Sequence, residues 1–220
     1  MMDLINIAIN CLKKSRSQEG EDLILANYFK NREKGFYIDV GAHHPFRFSN
    51  THFFYKKGWM GINIDATPGS MRLFRKYRPR DINIEIPISN SHKKIDYFIF
   101  DEPALNSFSS KLSKDRAAHT KYKIEKIIKL EPKKLSEILN EKLPSNKKID
   151  FMSVDVEGFE YEVLVSNNWD KYKPQYLLVE ILKTDSEALV NNKVYIFLKR
   201  RGYNVVNRTG RTVIFKKTKI

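Results

Sequence analysis

The chain has 220 residues, 41% of them hydrophobic, and carries 40 Lys and Arg against 26 Asp and Glu, a net charge of +14. That length suits one well-buried core rather than two full domains, and the positive balance favours acidic partners such as phosphates, nucleic acid or an anionic membrane surface. The single cysteine, Cys11, excludes an intrachain disulfide framework and a multi-cysteine zinc site, which suits a reducing compartment and points to the cytoplasm.

Ile5, Ala8, Ile9 and Leu12 fall at the spacing of one helical face. This apolar stretch is too short for a membrane span and is interrupted by Asn6 and Asn10. It has neither a basic region before it nor a small-residue cleavage site after it, so no export or anchoring signal is expected. A second helix is predicted up to about Phe29, and residues 1–34 read as a helical extension of a domain at 35–220. Gln18 and Glu21 lie before or within its first turn, where an acid is favoured by the helix dipole. They are candidates for a segment that closes over a site and touches substrate.

Residues 35–45, Gly-Phe-Tyr-Ile-Asp-Val-Gly-Ala-His-His-Pro, read as a short buried strand that stops at Gly41 and delivers Asp39, His43 and His44 to one edge of a sheet. A helix follows at 51–57, capped by Ser49 or Asn50 and stopped by Gly58. The run 60–65 is a second strand ending in Asp65, and Met71, Phe74 and Arg78 share a face of the next helix. A third strand is expected at 82–88, ending at Ser89, and a further one at 94–100. Residues 101–115 read as a long polar loop, of the kind that is usually functional, and Asn106 and Ser107 within it are candidate acceptor contacts. Then come a strand at 124–130, a helix at 135–139, buried strands at 149–154 and 176–179 that deliver Asp155 and Glu180, a helix at 187–201, and a hairpin around Gly210. Strands alternating with helices predict a parallel α/β sheet with an antiparallel hairpin at its end.

Acids at the ends of several strands point to a ligand at the carboxyl edge, since open α/β sheets bind ligands there. Asp65 is placed to accept hydrogen bonds from ribose hydroxyls. After Gly41 the chain lacks the later glycines of a pyrophosphate-binding turn. A dinucleotide is therefore disfavoured, and a nucleoside with a charged amino-acid tail, S-adenosylmethionine, suits these residues better.

The runs Tyr37-Ile38-Asp39-Val40-Gly41-Ala42 and Ser153-Val154-Asp155-Val156-Glu157-Gly158-Phe159-Glu160, with Asp65 and Ile88-Ser89, resemble the FkbM-type methyltransferases. The resemblance spans about 17–180, and its most specific part is Asp-Val-Glu-Gly-Phe-Glu. It implies a Rossmann-like, seven-stranded, mostly parallel sheet with an antiparallel last strand and helices on both faces. It also implies S-adenosylmethionine-dependent O-methylation, often of sugars or glycosylated metabolites. By position it sets Asp39 and Gly41 beside the methionine part of the cofactor, Asp65 on the ribose and Ser89 near the adenine, with Asp155 and Glu157 between cofactor and acceptor. His43-His44-Pro45 departs from the small residues usual there.

Removal of a hydroxyl proton requires a carboxylate or imidazole near the acceptor, and Asp155, Glu157, His43 and His44 are the candidates. A divalent metal such as Mg²⁺ on Asp155, Glu157 and Glu180 is the other device. Competing expectations are an RNA methyltransferase that uses the cations between Lys193 and Lys219, a basic end lying on an anionic membrane, and an inactive nucleotide-binding module.

Overall fold

The computed structural model describes residues 15–182 and 186–218. Cys11, the helix predicted near the amino end and Lys219 lie outside those residues. In chain order the elements are α1 (Glu21–Tyr28), β1 (Phe36–Val40), α2 (His52–Lys56), β2 (Met60–Asp65), α3 (Met71–Tyr77), β3 (Ile82–Glu85) and β4 (Ile95–Phe100). They continue as α4 (Ser110–His119), β5 (Ile124–Leu130), α5 (Leu135–Lys142), β6 (Phe151–Val154), α6 (Glu160–Val165) and β7 (Tyr176–Glu180). The last are α7 (Ser186–Val190), α8 (Lys193–Lys199), β8 (Tyr203–Arg208) and β9 (Thr212–Lys217).

Seven strands form one sheet in the order β3-β2-β1-β6-β7-β9-β8. The pairs β1–β2, β2–β3, β1–β6 and β6–β7 are parallel, and β9 runs antiparallel to both β7 and β8. This is the mostly parallel sheet with an antiparallel last strand that the sequence predicts. β1 lies inside the sheet between β2 and β6, and its five residues are buried, the pattern of an interior parallel strand. Phe36, Ile38 and Val40 pack with Leu135, Ile138, Val163 and Leu198 from α5, α6 and α8. On the opposite face Tyr37 and Phe151 pack with Leu25 of α1, Phe29, Phe54 of α2 and Trp59. No helix among the described residues is long and apolar enough to cross a membrane.

Three local expectations are corrected. The third strand ends at Glu85 rather than 88: Ile86 still donates its N–H to Asp65 O at 2.9 Å, after which Pro87 O and Ser89 N bond the backbone of Lys133. Residues 101–115 are not a loop. They hold a short 3-10 turn (Pro103–Leu105) and the first part of α4, whose start is capped by Ser109 Oγ accepting from Leu112 N. The helix expected at 187–201 is two helices, because Asn192 adopts an extended backbone and its side chain accepts from Val194 N, which starts a new helix. β4 and β5 form their own antiparallel ribbon outside the main sheet.

Beneath α2 lies a buried polar network. Arg78, wholly buried, donates to Thr51 Oγ1 and Ser49 Oγ at 2.7 Å and to Pro45 O at 2.5 Å. Thr51 Oγ1 in turn donates to Asp39 Oδ2 at 2.7 Å. Asp81 accepts from Tyr37 Oη, Gly61 N and Asn63 Nδ2. Burial raises the Asp39 carboxyl to about 6, against the lowering effects of Thr51 and Arg78. A group raised in the folded state favours folding below its unfolded pKa and loses that contribution as pH rises through the folded one. Asp39→Asn is therefore expected to match the parent near pH 4 and to gain on it up to about pH 6. At pH 8 the variant should be more stable by about 3 kcal/mol, from roughly two pKa units at about 1.4 kcal/mol each. Urea unfolding of both proteins at pH 4 and pH 8 checks this, and a constant difference at the two pH values would refute it.

Candidate active site

The carboxyl ends of β1, β2 and β6 open on one cleft. β1 ends at Gly41, with φ of 81° and an N–H donated to Ile64 O. A side chain at this position would meet the Asp155 carbonyl oxygen at 1.7 Å, so only glycine lets β1 and the β6 turn approach this closely. The next residues carry His43 into the cleft with φ of 53°.

At the end of β2, Asp65 is nearly buried and its oxygens accept the backbone N–H groups of His43 and Thr67 at 2.9 and 2.8 Å. The carboxylate is thus fixed in orientation while it still lines the cleft. Beside it the wall is apolar and aromatic. Ile86, Ile88, Tyr97, Phe108 and Phe159 line it, with the Tyr97 and Phe108 rings 4.4 Å apart. The Tyr97 hydroxyl and Thr67 Oγ1 are 2.8 Å apart, which ties the β4–β5 ribbon to the turn after β2. A flat apolar wall beside a fixed carboxylate fits the base and ribose of S-adenosylmethionine.

Across β1 from Asp65, acids gather at the ends of β6 and β7. Asp155, Glu157 and Glu180 each offer an oxygen within 4.8 Å of the others. Burial first, then the charges of Glu157 and Glu160, holds Asp155 well above the carboxylate range. Burial, followed by Asp155, pushes Glu180 to about 11. Glu157 has φ of 54° and is paired with Arg116 of α4. Gly158 continues the turn at φ of 91°. Glu160 reaches back to accept the N–H groups of Val156 and Gly158 at 3.2 and 2.9 Å, which locks the turn into α6.

Of the residues singled out in the sequence, Gln18, Gly41, His43, Asp65, Asn106, Asp155 and Glu157 line the cleft together. The others do not. Asp39 points beneath α2 toward Thr51. His44 Nδ1 accepts the N–H groups of Phe46 and Arg47 at 3.1 Å and so organises its own turn. Ser89 Oγ accepts from Ser91 N, while its neighbour Ile88 faces the cleft. Ser107 Oγ donates to Glu157 O at 2.6 Å. Glu21 accepts from Thr212 Oγ1 and Glu19 N, which joins the segment before α1 to the terminal hairpin. Asn106 lines the cleft, yet its Oδ1 also accepts from Phe100 N at 2.8 Å. Arg116, Thr67 and Tyr97 escaped sequence reasoning. The one available signal was Ser109 as a helix cap, which would have placed Arg116 on α4.

No curated protein matches the chain. Among solved structures it is similar to a precorrin-6y C5,15-methyltransferase from Geobacter metallireducens at 11% identity and a TM-score of 0.48, covering 93% of this chain and 92% of that one. It is also similar to a TehB-like SAM-dependent methyltransferase from Corynebacterium glutamicum at 9% identity and 0.43, covering 99% and 97%. A fibrillarin pre-rRNA processing protein from Methanococcus jannaschii matches at 13% and 0.43, covering 84% and 67%. Residues 39–205 match the methyltransferase FkbM domain, a span that begins at the acid of β1 and takes in Asp65, Asp155, Glu157 and Glu180, and the protein accordingly belongs to the FkbM family of S-adenosylmethionine-dependent methyltransferases.

Proposed function

We propose that this enzyme methylates a hydroxyl of a sugar, a glycan precursor or a glycosylated metabolite in the cytoplasm. The observation that supports this most is that Asp155 and Glu157 line the same cleft as Asp65, with the buried Glu180 grouped beside them. Carboxylates accept hydrogen bonds from hydroxyls, which suits a polyhydroxyl acceptor.

When bound, S-adenosylmethionine supplies an electrophilic methyl group. The chain's own part is to hold the acceptor oxygen in line and to take its proton. Asp65 would hold the ribose and the Tyr97–Phe108 wall the base. His43 lines the cleft, burial lowers its basicity so that the ring is neutral at pH 7, and its Nε2 has no hydrogen-bond partner among the described residues. It is therefore available to accept the acceptor proton, with Asp155 in its ionised form the other side-chain base and a divalent cation on the acid cluster the alternative device.

The RNA reading drew on the basic carboxyl end. There Lys193 lies 3.4 Å from Glu162, Lys199 donates to Asn204, Arg201 stacks on Phe197 and Lys217 donates to Arg201 O. Charges engaged within the chain are less available to a phosphate backbone or an anionic membrane. Incubation of the protein with labelled S-adenosylmethionine and a carbohydrate pool is expected to label a saccharide fraction. Label that appears in RNA instead, with salt-sensitive gel shifts, would replace this proposal.

A further inference from the structure

Asp155 follows β6 directly, Glu157 occupies the turn after it, and Glu180 is the last residue of β7. The parallel register of Val154 against Val179 brings the three together. Glu180 is 4% exposed, and its Oε2 and the Asp155 Oδ1 are buried without a hydrogen-bond partner among the described residues. Each is an acceptor that burial has removed from water, and native proteins rarely leave such groups unmatched.

The cations nearby do not match them. Arg116 is committed to Glu157 Oε2. Arg211 lies 3.9 Å from the other oxygen of Glu180, Oε1, with its own side chain half exposed. Three carboxylates thus converge on one point where two oxygens have nothing to bind.

Oxygens bound to one cation are at most twice the bond length apart, about 4.2 Å for Mg²⁺ and about 5 Å for Ca²⁺. Only trans oxygens reach that limit, and cis oxygens on octahedral Mg²⁺ lie about 3 Å apart, so three oxygens within 4.8 Å of one another must draw together by up to about 1.8 Å on the ion.

We propose that Asp155, Glu157 and Glu180 bind one hard divalent cation of the Mg²⁺ or Mn²⁺ class, open on its remaining side to the cleft. The site stands on this geometry. Its task, to bind two oxygens of the acceptor and acidify the hydroxyl that is methylated, rests on the function proposed above.

Mn²⁺ serves as the probe, since bound and free ion differ in their paramagnetic resonance and water-relaxation signals. The full chain is expected to bind one Mn²⁺ saturably, with displacement by Mg²⁺. Glu180→Gln should weaken binding at least tenfold while its thermal melt remains cooperative. Asp155→Asn is the second variant and should weaken binding comparably. A parent protein without saturable Mn²⁺ binding in the millimolar range, or variants with unchanged affinity, would overturn the site. In the latter cases the two orphaned oxygens would share a proton instead. Calorimetry with S-adenosylmethionine in metal-free buffer reports on the methyl-transfer function separately.

Discussion

Arg78→Ala is expected to lower the unfolding free energy by about 3–5 kcal/mol, the usual cost when one partner of a buried charged network is removed. For a chain of this size that corresponds to a drop in Tm of roughly 10 °C. The guanidinium is wholly buried and is the donor that Pro45 O, Ser49 Oγ and Thr51 Oγ1 share. Its loss strands those acceptors and leaves Asp39, already raised by burial, and Asp81 without the nearest compensating charge. Arg78→Lys should recover part of the loss. A lysine supplies the charge, but a single ammonium lacks the planar fork that spans three acceptors. Urea unfolding measures both variants. A cost for Arg78→Ala below about 1 kcal/mol would mean that water replaces the guanidinium and that the network adds little.

How this network and the cleft divide the acids shows what the sequence could convey. The sheet was legible because each strand is a short apolar run that stops at an acid or a glycine, and the alternation with helices implies parallel pairing. The acids at those ends were legible as a set. Which way each one points was not. Phe-Tyr-Ile-Asp-Val is buried along its whole length, so alternation gives no face. Asp39 turns inward because Thr51 and Arg78, distant in sequence, meet it there. Ser89, expected near the adenine, and Ser107, expected to touch the acceptor, are both buried. Ser107 holds the Glu157 carbonyl from a ribbon whose docking depends on tertiary packing. The meeting of Asp155 with Glu180 depends on β6 and β7 being neighbours in register, a property of the sheet and not of either segment. His44 is the exception. Its ring bonds N–H groups two and three residues on, a local turn contact that spacing alone allows.

Asp65→Ala is expected to weaken S-adenosylmethionine binding by a factor of about 100 or more. Hydrogen bonds to a charged acceptor contribute about 1.5–3 kcal/mol each. A carboxylate that holds two ribose hydroxyls therefore accounts for about 3 kcal/mol or more, where each 1.4 kcal/mol is tenfold in affinity. The geometry adds a second loss. The N–H groups of His43 and Thr67 point at the two Asp65 oxygens, so truncation frees the turns after β1 and β2 that shape the cleft, and the bound conformation must then be restored from the binding energy itself. Asp65→Asn separates the two contributions. Its amide oxygen can still accept one of the two backbone N–H groups, but its NH₂ faces the other as donor against donor, so affinity should fall nearly as far while the fold is retained. Asp101→Ala, at an exposed acid of the β4–β5 ribbon, serves as the control and should bind as the parent does. Calorimetric titration of the four proteins, with urea unfolding of each, distinguishes lost contacts from lost structure. Binding by Asp65→Ala within threefold of the parent would show that the ribose is held elsewhere in the cleft, and the strand-end acid would then serve only to cap the turns after β1 and β2.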